Sequence, residues 1–295
     1  RATTPEGAGS YGYLKFSATE DLGDGMKALA VFNFQTNVGD AGTAAIAGRE
    51  SYVGLSGGMG TMLVGTMSSP YKSSTASYDP FLATSFQARG NNGMSALFNG
   101  YVSNAVAYAN NFMDGQIKLV AALVVDEAKA AGEDKTTAHH GKSFSVNYDP
   151  SAQLNVSFAH IDVTDMGGAT DSTPNMKANK IGAKYTMDAI TVAAQVEMMG
   201  EGYSTDANKQ SGNVMFVSAS YAMDKANTVS ASYGSTSEKL TARDTNDTYF
   251  AFGLNHAFSK KTSGMVSYRA SKLGETAAVG STTDRAIGAV LRVNF

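Results

Sequence analysis

The sequence predicts an all-β fold, a single transmembrane antiparallel β-barrel, and three observations carry that prediction. Tight-turn signals recur about every 36 residues. The runs that flank each turn alternate apolar and polar over about ten residues. Wide polar stretches separate one hairpin from the next, which puts short turns at one end of the strands and long loops at the other. The turns read Asp21-Leu22-Gly23-Asp24-Gly25, Gly57-Gly58-Met59-Gly60, Met113-Asp114-Gly115, Asp149-Pro150-Ser151, Met187-Asp188-Ala189, Met223-Asp224-Lys225 and Ser259-Lys260-Lys261. Only the interval from the second to the third is long, by about 20 residues.

Strands are expected at 10–20, 25–36, 49–56, 60–67, 101–112, 116–126, 142–149, 153–164, 177–187, 189–199, 213–223, 227–238, 247–258, 262–272 and 284–295. Alternation defines each one. Leu154, Val156 and Phe158 share a face opposite Asn155, Ser157 and Ala159. Ile190, Val192, Ala194, Val196 and Met198 oppose Thr191, Ala193, Gln195 and Glu197. Such strands hide one face from water and wet the other. Aromatics such as Phe16, Phe32, Tyr108, Phe144, Tyr185, Tyr233 and Tyr268 sit near strand ends on the apolar face, where girdles at two lipid–water interfaces belong. The chain ends on the short-turn side but begins, after Arg1–Ser10, on the long-loop side. A closed bacterial barrel needs an even number of strands. The reading therefore expects about fifteen strands here, one N-terminal strand lying outside the given chain, and sixteen in the complete barrel.

Composition agrees with one barrel domain over 1–295. Charged residues are 17% of the chain, below the ~25% of soluble domains. No run approaches 18 apolar residues, so no helical span is expected. A mean hydropathy of -0.17 is what a barrel gives when every second strand residue faces a polar lumen. The net charge of -3 excludes a strongly basic nucleic-acid binder. Cysteine is absent, which fits an oxidising compartment without a disulfide framework. With no signal peptide at its start, the sequence reads as a mature form or a fragment.

Blocks along the chain resemble the Gram-negative general porins, in particular their beta- and gamma-proteobacterial branch. Leu14 to Ala28 is similar to the family's "LGFKGSEDLGNGLKA", Arg49 to Gly57 to "RQAYVGLSG", and Gly60 to Pro70 to "GTVTLGRQYSP". Ser103 to Tyr108 resembles "SNSVRYDSP", Phe258 to Thr262 "LSKRT", and Ala289 to Phe295 "VGLRHRF". The resemblance implies an outer-membrane channel for passive diffusion of small hydrophilic solutes, no enzyme activity, no cofactor, and a homotrimer set in outer-membrane lipid and lipopolysaccharide. It also implies that the terminal aromatic Phe295 signals to the outer-membrane assembly machinery. Small residues at Ala105 to Ala109 and Ala121-Ala122 are read as outward-facing and suited to subunit packing.

By the same resemblance, residues 68–100 form a third extracellular loop that folds into the lumen and narrows it. A sixteen-stranded barrel otherwise leaves an open aqueous axis. Asp79 is the only carboxylate in that stretch and the candidate for the acidic side of a constriction. Strand parity turns Lys15, Lys27, Lys118, Lys180, Lys184, Arg269 and Arg292 toward the lumen. The alternative, a charge facing mid-depth lipid, costs ~2–4 kcal/mol. The family's arginines in "LGRQ" and "SVRY" are replaced by Thr66 and Ala107, so only weak charge selectivity is expected. Two other readings stay open. Tyr71, Tyr78 and Phe81 would begin the aromatic track of a solute-specific channel, and a plugged barrel would be structural or adhesive. His139-His140 lack the third ligand of a zinc site, and Glu127, Glu133 and Asp134 read as solvated loop acids.

Overall fold

The computed structural model describes residues 11–37, 46–94, 101–125, 140–164, 176–200, 211–240, 243–273 and 281–295. They form one antiparallel sheet in which each strand pairs with its neighbours in sequence. The strands are β1 (Tyr11–Gly23), β2 (Met26–Asn37), β3 (Ala47–Gly57), β4 (Gly60–Met67), β5 (Val102–Phe112), β6 (Ile117–Val124), β7 (His140–Tyr148) and β8 (Leu154–Thr164). They continue as β9 (Met176–Met187), β10 (Ile190–Met199), β11 (Ser211–Ala222), β12 (Asn227–Leu240), β13 (Arg243–Ala257), β14 (Thr262–Leu273) and β15 (Thr282–Val293). All fifteen fall on the expected runs. Among the described residues β1 and β15 pair only with β2 and β14.

The turns hold because their residues suit tight reversals. Met113 and Asp114 both adopt positive φ (53° and 54°), a left-handed turn closed by the Gly115 N–H donating to the Phe112 carbonyl at 3.1 Å. Asp224 Oδ1 accepts from the backbone N–H groups of Ala226 (2.7 Å) and Asn227 (2.8 Å). Ser259 Oγ does the same for Lys261 and Thr262, at 3.1 Å each. These local bonds fix the register of the strands they join.

Parity sorts the two faces. Phe16, Leu55, Met62, Ile181, Tyr233, Phe252 and Val266 are exposed on the outward face. The buried apolar residues lie on the other face or in the segment that covers it, and most of them join three clusters. One joins Tyr78, Phe81, Phe86 and Met94 to Phe216, Tyr249 and Ala251. A second packs Tyr71 on Ala159, Ile161 and Ala178. The third is Met67 with Ala105, Ala107 and Ala122. This third cluster corrects the sequence reading of Ala105, Ala107 and Ala122 as outward. Their neighbours Met62, Val64 and Leu123 point out, so period-two alternation turns these alanines inward.

Candidate functional site

Residues 68–94 do not extend away from the sheet; they lie along its inner face. Ser69 caps a one-turn helix, α1 (Pro70–Ser73), its Oγ accepting the Lys72 N–H at 3.1 Å. Contacts then run across the sheet. Asn147 of β7 donates to the Ser74 carbonyl (2.9 Å), and Tyr78 donates to Asn155 Oδ1 of β8 (2.7 Å). Ser218 of β11 donates to the Tyr78 carbonyl (2.6 Å), and Tyr249 of β13 to that of Phe86. Ser271 of β14 donates to Asn91 O (2.9 Å), and Arg292 of β15 to Leu82 O (3.3 Å). On the near side, Lys72 Nζ stands 4.2 Å from the Tyr101 ring centre, and Tyr101 also meets Arg49 of β3. So short a segment reaches this many strands only because the sheet curls around it.

Asp79 holds the segment rather than facing water, which corrects its expected place on the open side of a constriction. It is 4% exposed, with Oδ1 accepting from Phe81 N–H (2.9 Å) and Oδ2 from Ala88 N–H (2.7 Å). Burial raises its pKa to about 6, against the opposing pull of those two bonds and of Arg89. Charged hydrogen bonds contribute ~1.5–3 kcal/mol each. Asp79→Ala is accordingly expected to loosen 79–88 by about 3 kcal/mol, with Asp79→Asn in between. Limited proteolysis of the folded barrel checks this; equal protection in all three proteins would remove the bracing role.

The aromatic track is also corrected. Tyr71, Tyr78 and Phe81 are 2%, 2% and 1% exposed, sealed between segment and wall. They are the segment's own core and offer no face to a passing solute.

The basic candidates divide into two groups. Lys180 and Arg269 are on the inner wall but beneath the segment, 2% and 3% exposed. Lys180 Nζ donates to the Tyr71 carbonyl at 2.6 Å and lies 4.2 Å from the Tyr71 ring centre. Arg269 pairs with Asp284 of β15. Lys118 and Lys184 line a polar recess of ≈ 430 Å³ on the short-turn side of the segment, together with Asp149 and three serines. Lys118 pairs with Asp149 at 3.0 Å and Lys184 donates to Ser77 Oγ at 2.9 Å. Arg292 touches the segment at Leu82. Lys15 and Lys27, both exposed, stand opposite Asn33 and Asp21 in the β1–β2 register, away from the folded segment's contacts. Phe295 lies fully exposed beyond β15.

Four groups were missed in the sequence reading. Glu197 of β10 is 2% exposed and sits directly across from Lys180. It accepts from Tyr71 Oη (2.7 Å) and from Gln195 Nε2 (2.9 Å). Arg89, 7% exposed, donates to the Lys72 carbonyl at 3.1 Å and faces Glu197. Lys72 and Arg49 form the near-side cluster, with the Arg49 guanidinium 4.4 Å from the Tyr13 ring centre and donating to Gln35 at 2.9 Å. Where the resemblance places an arginine, Ala107 lies in the inner apolar patch, and Thr66 donates to Ser103 at 3.3 Å. His139, Lys135, Glu127, Glu133 and Asp134 lie outside the described residues.

A curled antiparallel meander with a segment folded across its inner face defines the class of a channel-forming barrel. The family model for Gram-negative porins matches residues 2–276, and the chain belongs to that family. It forms a channel of the bacterial outer membrane and is not an enzyme. Major outer membrane protein P.IA of Neisseria meningitidis serogroup B is 22% identical over 293 residues, covering 86% of this chain and 74% of its own length. An outer membrane porin protein of Bordetella pertussis is 24% identical over 278 residues, covering 83% and 72%. Among solved structures, the anion-selective porin from Comamonas acidovorans superposes with a TM-score of 0.74 at 22% identity, over 96% of this chain and 85% of that one. OmpT of Vibrio cholerae in its trimer form gives 0.71 at 12% identity, over 96% and 97%.

Proposed function

We propose that residues 68–94 set the size limit of the channel and that the channel weakly prefers anions. The observation that carries this reading is the burial of Asp79. With its carboxylate turned into the segment, the open lumen meets Lys72 and Arg49 on one side and Lys184, Lys118 and Arg292 on the other. A field lined by one sign of charge concentrates the opposite ion. Partial cancellation by Asp149 and Glu50 keeps the preference weak. Lys15 and Lys27 add charge on the β1–β2 wall, whereas Lys180 and Arg269 act under the segment. The reversal potential in a salt gradient tests this: a small anion-favouring value is expected, and a cation-favouring one would refute it.

Lys72 makes the preference pH-dependent. Desolvation, with repulsion from Arg89 and Arg49, lowers its pKa to about 8, and Glu50 opposes the shift. Lys72 is therefore charged below that pH and neutral above it. The anion preference is expected to fall between pH 7 and 9 in the native channel and to stay flat over that range in Lys72→Met. A native channel with no change would exclude Lys72 from the lumenal field.

We infer further that the chain assembles as a homotrimer, for which the trimeric OmpT neighbour gives support. Phe295 serves as the assembly signal, its exposure leaving it open to a receptor, and the outward face meets lipopolysaccharide.

A further inference from the structure

Methionine is a poor choice for a tight turn, since turns favour Gly, Asn, Asp, Ser and Pro. Yet four of the seven short turns carry one: Met59, Met113, Met187 and Met223. In three of them it directly precedes an aspartate, as Met113-Asp114, Met187-Asp188 and Met223-Asp224. The bonds that shape these turns come from other groups. Asp224 holds the β11–β12 turn through the N–H groups of Ala226 and Asn227. At Met59 it is the backbone carbonyl that receives the Tyr108 hydroxyl, at 2.6 Å. Met113 even takes positive φ, which is uncommon for a residue with a long side chain. Turn geometry does not explain the four side chains.

Their depth follows from their neighbours. Phe112, Tyr185 and Tyr221, exposed on the outward face, stand one or two residues before Met113, Met187 and Met223. Aromatic girdles mark the lipid–water interface, so each methionine lies past it, on the water side. Asp114, Asp188 and Asp224, the next residues, are exposed as well, which suits charges in water. The four methionines are 46–89% exposed. Met67 and Met94 are the opposite case, 6% and 3% exposed within the apolar clusters of wall and segment. Met215 is a third case: exposed, but in mid-strand on the outward face, where hydrocarbon covers it.

We propose that Met59, Met113, Met187 and Met223 are sites of reversible oxidation by peroxides, a rim that takes up oxidant before the core does. The inference rests on the channel reading and goes beyond it. The short turns of such a barrel face the periplasm, so a peroxide small enough to cross the lumen emerges beside them. The sulfur lone pair attacks one peroxide oxygen; an S–O bond forms and the O–O bond breaks. Sulfur loses two electrons, and the departing hydroxide takes up the proton of the transferred oxygen and leaves as water. The dithiol of a reductase reverses the change: it becomes a disulfide and the oxygen leaves as water. A sulfoxide at the rim turns its dipole into water. At Met67 or Met94 the same group would enter apolar packing.

The test exposes the folded full-length chain, in detergent, to hydrogen peroxide and follows sulfoxide at each methionine by mass spectrometry. The four rim methionines are expected to oxidise about tenfold faster than Met67, Met94 and the detergent-covered Met215. Single-channel conductance should stay native while the rim is oxidised, and a methionine sulfoxide reductase with a thiol reductant should restore the native mass. M59L/M113L/M187L/M223L nearly conserves volume, so its conductance should match native while the rapid phase of oxygen uptake shrinks by four atoms per chain. Equal rates at rim and buried methionines would overturn the proposal. So would conductance that falls in step with rim oxidation, or rim sulfoxides that the reductase leaves untouched. The channel reading fails separately: a chain that oxidises in this order yet conducts nothing would refute the channel and uphold the rim as an oxidation site.

Discussion

Glu197→Ala is expected to destabilise the docked segment by about 3–5 kcal/mol, the range for breaking a buried charge pair. Glu197 is the carboxylate facing two buried cations, Lys180 across the β9–β10 ladder and Arg89 from the segment. It also receives the Tyr71 hydroxyl at 2.7 Å, so its removal strands a phenol as well as two charges. All four groups are at least nine-tenths buried, so solvent does little to screen the loss. The variant barrel should unfold at lower urea and become cleavable near Tyr71. Glu197→Gln should fall between, because an amide oxygen still accepts from Tyr71 but offsets no charge. The pair Glu197→Ala with Lys180→Met is expected to recover part of the loss, since one stranded cation goes with its partner. Native-like urea resistance in Glu197→Ala would mean that the segment is held by its apolar contacts alone.

That pair shows how far the sequence could be read. Register was legible, because the turn Met187-Asp188-Ala189 fixes the β9–β10 hairpin. Lys180 and Glu197 stand seven residues from its two ladder ends, Met187 and Ile190, and therefore face one another. Parity also put both on the polar face. What strand arithmetic does not contain is the lid. The contacts of 68–94 with the wall link residues far apart in sequence, from Tyr71 with Ser143 (72 positions) to Arg292 with Leu82 (210 positions), and no local pattern encodes them. The polar composition of the segment suggested a wet loop. In the structure its serines and Asp79 satisfy its own backbone, and its aromatics are its core. Asp79-Pro80 did carry a local signal, since aspartate before a turn commonly accepts backbone N–H bonds nearby. The Phe81 bond follows that rule; the Ala88 bond, nine residues away, needs the folded segment. Small apolar residues fit either face, so composition alone left the alanines of β5 and β6 undecided; the outward neighbours Met62, Val64 and Leu123 and the buried Met67 cluster turn Ala105, Ala107 and Ala122 inward.

The second large effect is steric and acts on conduction. Gly234 of β12 lies on the inner face between Ser232 and Thr236, directly under Gly93 of the segment. A Cβ at position 234 would overlap Gly93 Cα and its carbonyl, backbone atoms that no rotamer change can move aside. Gly93 meets the same wall a second time, since a Cβ there would overlap the ring of Tyr249, the ladder partner of Gly234. Gly234→Val suits a strand by propensity, so the sheet should form and the segment should give way. Overpacking of this kind costs ~1–3 kcal/mol. The bonds at risk are the nearest ones: Thr236 to Asn92 O at 3.2 Å, Ser271 to Asn91 O at 2.9 Å, and Tyr249 to Phe86 O. The other end of the segment stays tethered through Tyr71 and Tyr78, so the 88–94 end is pushed off the wall toward the lumen rather than released. Single-channel conductance is therefore expected to fall, with greater open-channel noise, while urea resistance of the barrel stays near native. An unchanged conductance would show that this end of the segment does not border the conducting path.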